Sequence, residues 1–163
     1  MSAGHEPQVR IRKARARDLD AIDALEAASF TVDRFSRRTF ARLLKSSSAE
    51  FLIAEVEGAP LGYILLLYRE GARAARLYSL AAAPAARGRG VGTSLVQAGA
   101  QCAIERGCSR LRLEVRASNR SAISLYERTG FLTVDKLPGY YTDGATALRM
   151  ELRLDEGRAS EPR

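Results

Sequence analysis

A glycine-rich segment near the middle of the chain has the residue types that most clearly suggest ligand chemistry. This glycine loop lies between a predicted strand and a predicted long helix, and its residues are Arg87, Gly88, Arg89, Gly90, Val91 and Gly92. A helix N-terminus offers unpaired N–H groups and a partial positive charge. Glycine lets that backbone approach a ligand closely and adopt positive φ. The loop is therefore suited to a pyrophosphate, to which the arginines add charge.

Two common nucleotide-binding motifs do not fit the glycine loop. A Walker loop ends in Gly-Lys-Ser/Thr, whereas Gly92 is followed directly by Thr93. A dinucleotide fingerprint would need a glycine at position 93 and a place after the first strand. The alternative to ligand binding is a helix start that needs glycine only for its turn.

The titratable residues limit the chemistry that the chain can perform. His5 is the only histidine and lies in a polar tail, which excludes Ser-His-Asp and Cys-His catalysis and most metal hydrolases. Cys102 and Cys108 are the only cysteines, and they form neither a disulfide framework nor a zinc site, so we expect no metal. Proton transfer must use a carboxylate, a tyrosine, a cysteine or water.

Composition points to an ordinary globular protein. The chain has 163 residues, 46% of them hydrophobic, which suits one domain. No apolar run approaches the roughly 20 residues of a membrane helix, and no signal pattern begins the chain. We therefore expect a cytoplasmic protein without membrane contact.

The net charge of +7 has two interpretations. We favour a solvated basic surface, with an acidic cofactor or substrate as the main alternative and nucleic acid as an unlikely partner. Five basic residues lie in or just after the predicted first strand, where we expect a solvated face first and contact with RNA or an acidic peptide second: Arg10, Arg12, Lys13, Arg15 and Arg17.

Hydropathy periodicity predicts the element order β-α-α-β-β-β-α-β-α-β-β within a single domain over residues 9–154. Residues 1–8 and 155–163 are polar, and we expect disordered tails there. Three polar residues are predicted to cap helices: Asp18, Ser36 and Asn119. The order indicates an α/β protein, of the α+β type, whose mixed sheet has helices on both faces.

Three segments carry a family resemblance. Arg87-x-x-Gly90-x-Gly92, placed after the fourth strand, resembles the acyl-CoA pyrophosphate loop of the GNAT acetyltransferase superfamily. Residues 77–82 (LYSLAA) are similar to the splayed fourth strand of that superfamily. Residues 113–131, which contain LEVRASN, LYE and GF, resemble the bacterial ribosomal-protein alanine N-acetyltransferases and related N-terminal acetyltransferases. The resemblance covers roughly residues 9–154 and is strongest over 76–131.

The resemblance implies a GNAT fold that binds acetyl-CoA (coenzyme A), with Glu114 as general base and Tyr126 as general acid. From the residues alone, Glu114 would be an exposed strand glutamate paired with Arg112 or Arg116. The N–H of Leu80 or Ala81 would be the oxyanion donor, and Asn119 would bind the pantetheine arm or simply cap its helix. The implied cofactor-binding residues are Leu80, Ala81, Ala82, Arg87, Gly88, Arg89, Gly90, Val91, Gly92, Thr93, Asn119 and Tyr126.

The resemblance says less about the acceptor, the molecule whose amine receives the acetyl group. The residues expected to contact it are Phe35, Glu114, Tyr140 and Tyr141. Residues 30–35 depart from the alanine acetyltransferase pattern, which carries Pro-Trp there, and this leaves the acceptor open. We expect a protein or peptide amine and favour an N-terminal α-amine, for which a ribosomal protein is one candidate. The alternatives are a small-molecule amine and a non-catalytic acyl-CoA-binding module. The protein is expected to be a monomer or a homodimer.

Overall fold

The computed structural model describes residues 8–29, 34–86 and 88–154, and its elements follow the predicted order. None of the helices in these ranges is long and apolar enough to cross a bilayer. The strands and helices are β1 Val9–Lys13, α1 Leu19–Ser29, α2 Arg37–Leu44, β2 Ala49–Val56, β3 Ala59–Leu67, β4 Ala74–Ala82, α3 Val91–Glu105, β5 Arg110–Arg116, α4 Arg120–Arg128, β6 Leu132–Leu137 and β7 Ala147–Arg153.

The seven strands form one mixed sheet in the order β1-β2-β3-β4-β5-β7-β6. β4 and β5 are parallel, whereas β7 is antiparallel to both β5 and β6, so the predicted mixed sheet is confirmed. The chain forms two compact units, the first from residues up to 65 together with 79–95 and the second from residues 66–78 together with those from 96 onward. The single domain over 9–154 stays a prediction.

The first unit has an aromatic core under α1 and α2. Phe40 and Tyr63 are fully buried, with ring centroids 5.7 Å apart, and Phe35 and Phe51 pack on Phe40 from either side. Ser36 caps the N-terminus of α2 as predicted, because its hydroxyl accepts the Thr39 N–H at 3.1 Å. These contacts hold the start of α2 against the sheet.

Gly62 allows β3 to contact the first turn of α3 within the same unit. A Cβ atom at this position would lie 2.8 Å from Cγ1 of Val91, 3.0 Å from Cδ1 of Leu95 and 3.1 Å from the Ala81 carbonyl oxygen. Any larger residue would force the side chains of Val91 and Leu95 on α3 to move.

The second unit is organised around β5. Leu111, Leu113 and Val115 are buried, while the residues between them face the other side of the strand, as the alternating pattern predicts. The register with β7 places Glu114 opposite Arg149. Asn119 caps α4 as predicted, since its side-chain oxygen accepts the Ala122 N–H at 3.2 Å.

The prediction for Asp18 was wrong in detail. Its carboxylate accepts the Arg15 N–H at 2.7 Å and two bonds from the Arg12 guanidinium at 2.8 Å, so it stabilises the 3-10 turn before α1. Arg12 also donates to Glu55 at 2.9 Å. Charge-assisted hydrogen bonds are stronger than neutral ones, which explains why the Asp18 carboxylate binds the Arg12 guanidinium instead of capping α1. The prediction of a solvated face is therefore wrong for Arg12, because its guanidinium is hydrogen-bonded to Asp18 and Glu55.

Asp18→Asn should lower the free energy of unfolding at neutral pH by about 1–3 kcal/mol, because a charged acceptor for Arg12 is lost. The guanidinium of Arg12 holds the pKa of Asp18 below its ordinary value of 3.8. The contribution of the carboxylate is therefore fully present above that value and is lost as pH falls through the lowered pKa. Urea unfolding at about pH 7 and about pH 3 should show the difference between wild type and variant shrinking in acid.

The matched control is Asp20→Asn, which alters an exposed ion pair with Arg37 and should change stability by less than about 1 kcal/mol. A stability difference for Asp18→Asn that stayed constant in acid would contradict the ion-pair explanation.

Candidate active site

The glycine loop adopts the backbone conformation that its glycines permit. Gly88 and Gly90 have φ angles of 78° and 70°, and both are exposed. α3 begins directly afterwards at Val91, and the Ser94 N–H donates to the Gly90 carbonyl at 2.9 Å. Arg87, also predicted to bind cofactor, lies outside the described residues.

The loop and the start of α3 together form a possible anion site. The N–H groups of Val91, Gly92 and Thr93 belong to the first helical turn, where no carbonyl of the helix can accept them. A Cβ atom at Gly88 or Gly90 would meet nothing within 4 Å, so glycine is required there by the positive φ angle and not by space. The residues fit a diphosphate, since open amides and Arg89 are available beside a helix N-terminus.

The remaining predicted cofactor residues of this unit end β4. Ala81 is buried, Leu80 is partly exposed and Ala82 is exposed. The chain then returns to β3 through a hydrogen bond of 2.8 Å from the Ala83 N–H to the Leu61 carbonyl. These contacts fix where β4 ends before the glycine loop.

In the second unit, Glu114 is buried between two arginines. Its side chain is only 6% exposed, Nη2 of Arg76 lies 2.7 Å from Oε1, and Nε of Arg149 donates to Oε2 at 3.0 Å. The expected pairing with Arg112 or Arg116 is therefore wrong. The register explains the difference, because Arg149 lies directly opposite Glu114 on β7.

The two oxygens of Glu114 are engaged differently. Arg76 is close enough to Oε1 for an ion pair, but the contact lacks hydrogen-bond geometry, and Oε1 is buried without a hydrogen bond. Buried carboxylate oxygens are normally hydrogen-bonded. Oε1 therefore retains the capacity to accept an N–H group from a molecule that reaches it.

The two neighbouring arginines are paired elsewhere. Arg112 donates to Glu151 at 2.6 Å, and Arg116 lies 3.0 Å from Asp143. Each glutamate on this face of β5 and β7 is thus matched to its own arginines.

Arg76 connects Glu114 to the segment between β6 and β7. Its Nη2 donates to the Tyr140 hydroxyl at 3.2 Å, and its guanidinium lies 5.5 Å from the centre of the Tyr78 ring. The Arg76 side chain is 46% exposed. Sequence reasoning missed Arg76 and Arg149, and the signal available was their placement on strands that neighbour β5.

Tyr140 and Tyr141 lie close together, with ring centroids 5.1 Å apart and an edge-to-face arrangement. The Arg116 guanidinium lies 4.4 Å from the centre of the Tyr141 ring. Asp143 accepts the Ala145 N–H and pairs with Arg116, and these contacts lower the pKa of Asp143. Packing in the turn therefore orders Tyr141, whereas Tyr140 is exposed.

Tyr126 lies on α4 with its ring 5.5 Å from Phe131, and it is 7% exposed. Burial raises the pKa of its phenol above the ordinary value, and the neighbouring Tyr141 raises it further. The phenol therefore stays protonated at neutral pH and can act only as a proton donor there.

The predicted site residues fall into two groups. The second unit joins Glu114 and Tyr140 through Arg76, and Tyr126 of the same unit packs on Phe131. The first unit contains the glycine loop, the end of β4 and Phe35.

Comparison with known proteins gives a consistent result. Residues 19–131 match the model of the acetyltransferase (GNAT) family. An N-alpha-acetyltransferase of Sulfurisphaera tokodaii is 33% identical, over 90% of this chain and 94% of its own. A putative ribosomal protein bS18-alanine N-acetyltransferase of Bacillus subtilis is 32% identical, over 90% and 96%. The structure of the ribosomal-protein-S18-alanine N-acetyltransferase of Escherichia coli matches with a TM-score of 0.80 and 28% identity, over 90% and 94%.

The family match covers more than half of the chain, and the relatives extend over nearly all of it. The predicted fold and the predicted enzyme class are thereby confirmed. The chain belongs to the GNAT acetyltransferase family.

Proposed function

We propose that the protein transfers an acetyl group from acetyl-CoA to the N-terminal α-amine of a protein or peptide. The observation that carries this proposal is the buried Glu114, which keeps one oxygen without a hydrogen bond. The similarity to relatives named for Nα- and alanine acetylation supports an α-amine as the acceptor and a ribosomal protein as one candidate.

In this proposal the glycine loop holds the diphosphate of coenzyme A. The open N–H groups at the start of α3 and the side chain of Arg89 would bind its oxygens. Acetyl-CoA, when bound, supplies the thioester carbonyl that the amine attacks. The N–H groups of Leu80 and Ala81 are the proposed partners of the pantetheine arm and of the carbonyl oxygen.

Glu114 is the proposed proton acceptor. An α-amine has an ordinary pKa of about 8 and is largely protonated at neutral pH. Its N–H group would take the free position on Oε1 of Glu114, directly or through a water, and would displace Arg76 from the ion pair. Arg76 is the partner that can leave, because its side chain is more exposed than that of Arg149, at 46% against 31%. Tyr126 would then donate its proton to the departing thiolate.

The charges around Glu114 support a peptide acceptor over a polyamine. The arginine side chains on this face are partly exposed, whereas Glu114 and Glu151 are nearly buried. A polycation would therefore meet guanidinium groups before it met a carboxylate. A single α-amine carries less charge and is repelled less.

Incubation with acetyl-CoA should release thiol in the presence of peptides that have a free N-terminus. The same peptides with a blocked N-terminus, and polyamines at equal concentration, should give a rate at least about tenfold lower, because the site is built for one amine. Thiol release measured with a chromogenic disulfide, together with mass spectrometry of the peptide, checks this. Faster turnover of small amines than of every free peptide would contradict the proposal.

Glu114→Gln should lower kcat near neutral pH by about a hundredfold, because a general base typically contributes that much. The deficit should shrink toward about pH 9.5, where the α-amine loses its proton in solution. The matched control is Glu151→Gln, which alters a similar glutamate on the same face, paired with Arg112. Its kcat should stay within about twofold of wild type. Equal losses in the two variants would remove Glu114 from its proposed role.

Tyr126→Phe should lower kcat about tenfold or more while KM for the peptide changes little, because the lost group acts only on the departing thiolate. Since the raised pKa keeps the phenol protonated, the ratio of wild-type to variant kcat should be the same at about pH 7 and about pH 9. Tyr68→Phe, on a tyrosine that packs against Arg106, is the control. A ratio that fell steeply over this interval would argue against Tyr126 as the acid.

A further inference from the structure

The first unit contains a buried carboxylate to which the mechanism above gives no role. Glu26 on α1 is fully buried. Its hydrogen-bond partners are neutral groups: the Phe35 N–H donates to Oε2 at 2.8 Å, and the Tyr63 hydroxyl donates to Oε1 at 2.5 Å. Ser79 lies 2.6 Å from the Tyr63 oxygen and 3.3 Å from Oε1. Burying a carboxyl group in this way is unfavourable unless its hydrogen bonds are kept.

The directions of these bonds follow from the number of protons. The Tyr63 hydroxyl has one proton, and it is directed to Glu26. The Tyr63 oxygen can then only accept from Ser79, whose single proton is shared between Tyr63 at 2.6 Å and Oε1 of Glu26 at 3.3 Å. Hydrogen bonds thus link three side chains in series, from Ser79 on β4 through Tyr63 on β3 to Glu26 on α1.

The second carboxylate oxygen of Glu26 binds a backbone N–H group. Oε2 of Glu26 binds the N–H of Phe35, two residues before α2 begins at Arg37. Phe35 also packs edge-on against Phe40, with ring centroids 6.1 Å apart. The sheet strands are held by their ladders, so the segment 34–36 is the part whose position depends on Glu26.

We propose that Glu26 is a positioning residue that fixes the backbone at Phe35 and thereby the surface that receives the acceptor. Tyr63 and Ser79 hold the Glu26 carboxyl group in place. The proposal rests on the proposed function, because it takes over the expectation that Phe35 contacts the acceptor. It assigns to Glu26 no contact with acetyl-CoA and no part in proton transfer.

The decisive substitutions are Glu26→Leu and Glu26→Gln. Leucine fills a similar volume but cannot accept the Phe35 N–H, so KM for the peptide should rise about tenfold while KM for acetyl-CoA stays within about twofold. Glutamine can turn its amide so that oxygen accepts from Phe35 and nitrogen donates to Tyr63, whose proton then passes to Ser79. Glu26→Gln should therefore remain within about threefold of wild type in both KM values.

Tyr63→Phe keeps the ring in its aromatic cluster and removes the hydroxyl, and it should give a smaller rise in the peptide KM, about threefold. The matched control is Asp18→Asn, which alters another buried carboxylate of the same unit that also accepts a backbone N–H. It should leave both KM values unchanged. Thermal unfolding confirms that each variant is folded at the assay temperature.

Amide hydrogen exchange followed by NMR gives a readout that does not depend on activity. The Phe35 N–H should be protected in wild type and in Glu26→Gln, and it should exchange at least about tenfold faster in folded Glu26→Leu. If wild type acetylates no peptide, the proposed function fails, while the exchange rate still decides the role of Glu26. Unchanged exchange in Glu26→Leu, an equal rise in both KM values, or a Glu26→Gln variant as impaired as the leucine variant would overturn the proposal.

Discussion

The ion pairs of Glu114 are the constraint on which the second unit depends. One carboxylate joins Arg76 on β4 to Arg149 on β7 from its place on β5. Removing a charge from water is expensive, and it is repaid only when partners are close and well placed. The registers of the three strands must therefore agree, because a shift of one residue would turn Arg76 or Arg149 to the opposite face.

In the proposed mechanism the same ion pairs also affect reactivity. The two guanidinium groups hold the Glu114 carboxylate in place without substrate, and Glu114 would exchange one of them for the amine whose proton it takes. The geometry already distinguishes the two partners, because the Arg149 contact is a hydrogen bond and the Arg76 contact is not. Arg76 also reaches Tyr140, on the segment where an acceptor is expected. Arg76 therefore stabilises the buried Glu114 and, in the proposed mechanism, is the side chain that moves when the acceptor arrives.

Local features of the site were predictable from the sequence. The caps at Ser36 and Asn119 depend on residues within three positions of each other, and alternation along β5 depends on its own side chains. The positive φ angles at Gly88 and Gly90 follow from glycine in a loop before a helix. Each of these is set by neighbours in the chain, which is why pattern alone suffices.

Features that depend on distant residues were not predictable in this way. Glu114 and Arg149 are 35 residues apart, and Glu26 and Tyr63 are 37 apart. Arg12 has one partner nearby, Asp18, six residues later, and a second, Glu55, on β2, 43 residues later; only the second depends on how the strands pair. A single sequence carries no sign of which charges meet across a sheet; only the strand order and register decide it.

Acetylation of N-terminal α-amines, the function proposed for this protein, can be measured by incubating a cell proteome with the enzyme and isotope-labelled acetyl-CoA and then locating the label by mass spectrometry. We expect label on the α-amines of a small set of protein N-termini, and none above the enzyme-free background on lysine side chains. Label confined to lysine side chains or to small molecules would contradict it.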